Sequence, residues 1–224
     1  MVRLIIGLHQ LGNLSNHSIL QIGSCTLEQQ TSVSKFLSLG QSIFYKSCQV
    51  NTMRQFGLIF IHEDFSGDKM LCRGKIKTNG LLDIAEIRLY GRGDLRSINS
   101  QSLVLNGIYD INGSITCRSL SVYGGLNVSG RVKADSIAMN LNRNSYIQHL
   151  SAPVISVVSK ENCGIESVIG DVVNLNGANV ERVEANVVSV TGSSVVEVVK
   201  YSQELNVSDD SIVKNIYKIE NNIK

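Results

Sequence analysis

A direct repeat constrains this chain more than any other feature. Residues 94–139, set against themselves at an offset of 17, bring apolar side chains into columns: Ile98, Ile115 and Val132; Leu103, Leu120 and Ile137; Leu105, Val122 and Met139; Ile111 and Val128. Gly113 falls on Gly130 in the same alignment. A constant period near 20 residues marks a solenoid, in which each repeat buries its apolar face only against its neighbours. The expected fold is therefore all-β: a single-stranded parallel β-helix (β-solenoid) with rungs of about 15–17 residues.

Composition agrees with strands rather than helices. The 224 residues are 43% apolar, enough for a sizeable core, and include 19 Gly, one Pro and no Trp. Val, Ile, Ser and Asn are abundant, and branched side chains suit a pleated surface. Elsewhere the repeat varies. Leu20 and Ile22 match Leu37 and Leu39 at 17, whereas Phe56 with Leu58 and Met70 with Cys72 follow at uneven spacing. Ile87, Leu89 and Gly91 precede Leu103, Leu105 and Gly107 by 16, as if a corner had lost a residue. Residues 140–162 are looser and contain Pro153. After them Val172, Leu175, Val180 and Val183 are matched by Val187, Val190, Val195 and Val198 at 15. The pairs Asn79-Gly80, Asn106-Gly107, Asn112-Gly113 and Asn176-Gly177 read as corners, since both residue types accept left-handed backbone angles. An antiparallel meander is the competing reading of those pairs. The organisation read from these patterns is an irregular N-terminal solenoid or capping segment at 1–67, a β-helix at 68–219 and a polar tail at 220–224, with a closing rung after Tyr201.

Sites for chemistry are missing from the sequence. The net charge is +2 and the charges are scattered, which argues against nucleic acid as a partner. No stretch is apolar for the roughly 18 residues that cross a bilayer. The run Leu4, Ile5, Ile6, Gly7, Leu8 is too short for a signal-peptide core, so a cytoplasmic location is expected. The five cysteines, Cys25, Cys48, Cys72, Cys117 and Cys163, form no CxxC and read as reduced, partly buried thiols. Gly91-Arg92-Gly93 lacks the Lys and Ser/Thr of a phosphate loop, so no nucleotide is expected. His9, His17, His62 and His149 have no metal-ligand spacing. The carboxylate pairs Asp83/Glu86, Glu181/Glu184 and Asp209/Asp210 read as wet outer faces. No catalytic, cofactor-binding or metal-binding residue is expected.

Several segments resemble the bactofilins, polymer-forming cytoskeletal proteins of bacteria, and are most similar to the longer bactofilin-like proteins of Gram-positive species. They are GLLDIAEIRLYG at 80–91, GGLNVSGRVKADSIAMNL at 124–141, IQHLSAPVISV at 147–157 and IGDVVNLNGANVERVEANVVSVTGSSVVEVVKY at 169–201. The resemblance covers about residues 68–219. It implies a right-handed β-helix that polymerises end to end, without nucleotide, into non-polar filaments. It also implies a cytoplasmic scaffold that serves cell shape and the cell envelope, often beside the inner membrane, with other bactofilins and envelope proteins as partners. The chain departs from the family in its apolar, strand-like first third and in having no Phe in its C-terminal half.

The expected working surfaces are the ends. Val195, Val196, Val198 and Val199, with Leu205 and Val207 behind them, read as the self-assembly residues, because an end rung leaves a strand edge unpaired. Leu4, Ile5, Ile6 and Leu8 read as a first strand or cap, and alternatively as a weak membrane contact strengthened by avidity in a polymer. Two other functions compete: a β-helix enzyme, an acyltransferase with His149 or a carbohydrate-active protein, and a non-polymerising β-helix adaptor.

Overall fold

Stacking of like on like builds the molecule. In the computed structural model, which describes residues 2–11 and 15–220, the described residues form sixteen β-strands and no helix. They belong to two compact units, Met1–Gly113 and Ser114–Lys224. Both are β-solenoids.

The first unit holds β1 (Val2–Leu11), β2 (Ser15–Leu27), β3 (Thr31–Phe44), β4 (Cys48–Ile61), β5 (Phe65–Thr78), β6 (Leu81–Leu95) and β7 (Ser97–Ile111). Each strand pairs in parallel with the next, so one strand is nearly one rung. Within β4 the inward residues are Cys48 and Val50, then Met53 and Gln55, then Ile59 and Ile61. Strict alternation would send every second side chain inward. Here it breaks at 51–52 and again at 56–58, where the strand bends; a third bend lies at 62–64, between strands. Three short faces result, each giving two side chains to the core.

Equivalent positions pile into columns such as Ile19, Phe36, Met53, Met70, Ile87 and Leu103, all buried. Phe36, Phe44 and Phe65 add edge-to-face contacts at 5.5 and 5.3 Å. The partners Ile87 and Leu103 are 16 residues apart, as the sequence indicates, and the missing residue is at the corner: Arg96 alone separates β6 from β7, against Asn79-Gly80 between β5 and β6. Residue 67 lies inside β5, and the register stays at 17 from most of β2 through β6, so the stack has no break near 67.

A glycine column explains that regularity. Gly7, Gly23, Gly40, Gly57, Gly74, Gly91 and Gly107 occupy the same place in successive rungs, and all have positive φ. At Gly57 φ is +124°, and a Cβ there would collide with the carbonyl of Gly40 in the rung before. Glycine alone lets the strand turn in one residue without losing its ladder.

The second unit holds β8 (Ile115–Lys133), β9 (Ser136–Leu141), β10 (Ser145–Ser151), β11 (Val154–Ser159), β12 (Cys163–Ile169), β13 (Val172–Asn176), β14 (Asn179–Thr191), β15 (Val195–Val207) and β16 (Ile212–Lys218). Here a rung is usually split between two strands. β9, β11 and β13 stack on one face, while β10 and β12 continue the others. The register is 18 at β9–β11, β11–β13 and β10–β12, and drops to 15 at β13–β14 and β12–β14. Longer rungs account for the loose pattern over 140–162. Pro153 sits in a corner, where its missing N–H costs no ladder bond and its carbonyl accepts from the N–H groups of Asp171 and Val172.

Two sequence readings shift by a face. Val180 and Val183 pair with Val196 and Val199 at 16, not with Val195 and Val198 at 15, and a slip of one residue exchanges inside for outside. Leu20, Ile22, Leu37 and Leu39 do pair at 17, but they point outward; the core in those rungs is Ile19, Gln21, Phe36 and Ser38.

Candidate functional site

The C-terminal edge of the second unit is where an apolar interior comes to the surface. Val196 and Val199 are fully buried and lie in register with Val213 and Ile216 of β16, so they stabilise the core and offer no surface. Val195 and Val198 are half-buried on the outer side of β15. β16 covers only 195–201 of β15. The segment 204–207 pairs with β14 on one side, and no described strand pairs with its other side. Leu205 and Val207 continue the inward columns of Val173 with Val188 and Leu175 with Val190, yet Leu205 is half-buried and Val207 exposed. β16 itself exposes Ile212, Ile216 and Tyr217, each more than half accessible. The closing rung thus exposes apolar side chains in place of a polar cover. The corner before it is well held: the Ser208 hydroxyl donates to Asp210, and Ser193, at φ 59°, donates its N–H to the same carboxylate at 3.0 Å. These bonds, Ser208 first, keep the Asp210 carboxyl below its ordinary range.

At the N-terminal run, alternation decides which residues are available. Ile5 is 4% exposed and points inward, whereas Leu4 at 57% and Ile6 at 61% point outward. The side chain of Leu8 lies outside the described residues.

Remaining candidates for chemistry stay dispersed. His62 stacks on Tyr45 at 4.6 Å in an exposed corner, and His149 is half-buried in β10; the side chains of His9 and His17 lie outside the described residues. Among the described residues no three His, Cys, Asp or Glu side chains come together as metal ligands. Asp83, Glu181, Glu184, Asp209 and Asp210 are exposed, and Glu86 is half-buried in an ion pair with Lys69 at 3.2 Å. Glu166, Glu181 and Glu197 line an open groove of about 300 Å³ beside Tyr146. There the Tyr146 hydroxyl donates to Glu166, which raises the tyrosine pKa, and Lys214 pairs with Glu197 at 2.7 Å. All five cysteines are buried and free. Burial raises Cys25, Cys48, Cys117 and Cys163 to about 11 and Cys72 to about 12, which leaves them as thiols.

The sequence reading missed a polar pocket inside the first unit. Gln21, Ser38, Ser42 and Gln55 are fully buried. Ser38 donates to Gln21, and Ser42 donates to Gln55 at 2.9 Å. The Gln55 amide donates to the carbonyls of Gly40 at 2.8 Å and Leu58 at 3.2 Å. The Gln21 amide nitrogen has no partner among the described residues. Glycine spacing was the usable signal, because Gly23, Gly40 and Gly57 give the register that places these residues inside.

No known protein family, curated protein or solved structure matches the chain. Among the described residues no helix is long and apolar enough to cross a membrane.

Proposed function

We propose that the protein is a structural scaffold that assembles by stacking the open edges of its solenoid on other copies, without nucleotide. One observation carries this reading: at 204–207 the inward columns end in Leu205 and Val207 on a strand edge that no other described strand pairs, beside the exposed Ile212, Ile216 and Tyr217 of β16. An uncovered parallel edge of this kind templates another strand, and its apolar column ends lose water when a further rung is added. The sequence resemblance to bactofilins points the same way, and extends the proposal to other bactofilins, envelope proteins and the inner face of the membrane as partners.

Negative-stain electron microscopy of the purified chain without nucleotide tests the proposal. Filaments are expected. The variant Leu205→Lys/Ile216→Lys places two charges on the edge and is expected to abolish them while the circular dichroism stays that of a β-protein. Val198→Lys, on the outer side of β15, leaves filaments intact. Filaments that persist in Leu205→Lys/Ile216→Lys, or a wild-type chain that stays monomeric, overturn the assignment.

A further inference from the structure

Several charges on the first unit pair between adjacent rungs. Lys46 meets Glu63 at 3.0 Å, Lys69 meets Glu86 at 3.2 Å and Lys77 meets Asp94 at 3.6 Å, each pair joining adjacent rungs. Opposite signs thus meet across the rungs at those three places. On the outer face that carries 54–56, 71–73 and 88–90 they do not. One outward column runs Leu4, Leu20, Leu37, Arg54, Leu71, Arg88, and its neighbour runs Ile6, Ile22, Leu39, Phe56, Arg73, Tyr90. Neither column contains a carboxylate. Arg54, Arg73 and Arg88 are exposed, and among the described residues no carboxylate lies within ion-pair distance of them.

Geometry brings the three cations together. Rungs are about 4.8 Å apart, so Arg54 and Arg88 flank Leu71 at a span of about 10 Å, with Arg73 diagonal to both. The Arg73 guanidinium lies over the rings of Tyr90 at 5.5 Å and Phe56 at 6.0 Å, contacts that hold its plane in place. An open groove of about 360 Å³ is lined by all three arginines, Tyr90 and Leu71, and also by Glu86, whose charge Lys69 already pairs at 3.2 Å. Three like charges held this close repel one another unless an anion joins them. A guanidinium presents paired donors that match phosphate oxygens.

We propose that this face binds phosphate groups, with Arg54, Arg73 and Arg88 holding the oxyanion. The ligand is a phosphate ester or polyphosphate, and the aliphatic rungs of β1 to β3 on the same face suit the acyl chains of an anionic phospholipid. Binding needs no second copy of the chain.

Two arms distinguish the sources of phosphate: flotation of the full chain with vesicles of phosphatidylglycerol and phosphatidylcholine, and calorimetric titration with inorganic tripolyphosphate. Binding in the vesicle arm alone assigns the lipid headgroup; binding in either or both supports the site. The variant Arg54→Gln/Arg73→Gln/Arg88→Gln should weaken binding at least tenfold with an unchanged melting temperature. The variant Lys46→Gln/Lys77→Gln/Lys133→Gln removes the same charge from residues outside the groove lining and should change binding less than threefold. No binding in either arm, equal binding to pure phosphatidylcholine vesicles, or equal losses in the two variants overturns the proposal.

Discussion

The two units solve the same corner differently. In the first, the glycine column turns the chain within a strand, so strands of 13 to 15 residues run through the bend from β2 to β7. In the second, the register that starts at Gly124 places Leu141 and then Ser159 at this position, and strands β9 and β11 end there. Residues 142–144 and 160–162 then make the turn outside the ladder, which lengthens the rungs to 18. Glycine returns as Gly177, at φ +73°, and the rung shortens to 15. The change between rungs of 18 and 15 therefore arises at this corner, as the step from 17 to 16 arises at Arg96.

The largest expected effect comes from exchanging those solutions. Gly57→Val forces a branched side chain into a left-handed backbone against the Gly40 carbonyl and is expected to cost at least about 3 kcal/mol. Ser159→Val, at the related corner of the second unit, loses only the hydroxyl bond to the Glu161 carbonyl and should cost about 1 kcal/mol. Urea denaturation measures both; equal losses break the comparison.

The next effect separates two glutamines of the polar pocket. Gln55→Leu takes the amide donor from the carbonyls of Gly40 and Leu58 and leaves Ser42 to its bond with Ser38, at a cost of about 2 kcal/mol. Gln21→Leu removes the acceptor of Ser38, which keeps its contact with Ser42, together with an amide nitrogen that has no partner among the described residues, and stability should move by less than about 1 kcal/mol in either direction. A larger loss at Gln21 than at Gln55 contradicts the pocket as described.

This pocket also shows why the first unit was hard to read. Its interior carries Gln21, Ser38, Ser42 and Gln55, while Leu20, Ile22, Leu37 and Leu39 face out. A search for apolar columns locks onto the outer face, with the correct period but the wrong side. Where Ile87 and Leu89 stack on Leu103 and Leu105, and Leu120 and Val122 on Ile137 and Met139, the buried columns are apolar, and there the repeat was legible to the residue. The slip at Val195 and Val198 has a related cause: in a run of Val195, Val196, Val198 and Val199 hydrophobicity does not say which valine is inside. Leu205 and Val207, named from the sequence as lying behind the last regular rung, continue the columns of Val188 and Val190. β16 falls in the closing rung expected after Tyr201, but it exposes Ile212, Ile216 and Tyr217 where a polar cover is expected; the arginine face is not read from the sequence, since it depends on what stacks beside each residue.

The smallest effect is alkaline. A thiol whose folded pKa is raised favours the fold while it is protonated. Unfolded cysteine ionises near about 8.5. Above that value the unfolded chain sheds protons that the folded chain keeps, so stability falls as pH rises toward about 11. The first unit holds Cys25, Cys48 and Cys72, and Tyr109, whose hydroxyl burial also shifts upward. The second holds Cys117 and Cys163. Hydrogen exchange at about pH 8 and about pH 10, corrected for intrinsic rates, should show protection lost sooner in the first unit. Equal loss in both removes this distinction.

Near-constant rungs carry a kinetic consequence. Parallel sheets are ordinarily slow to form, because their partner strands lie far apart along the chain and a long loop must close before any ladder bond is made. Here each strand of the first unit finds its partner 16 or 17 residues away. Every closure is equally short, so no one loop dominates the entropy of ordering. A nucleus of two adjacent rungs anywhere in that unit presents a template to its neighbours above and below, and the ordered region grows outward by one closure at a time.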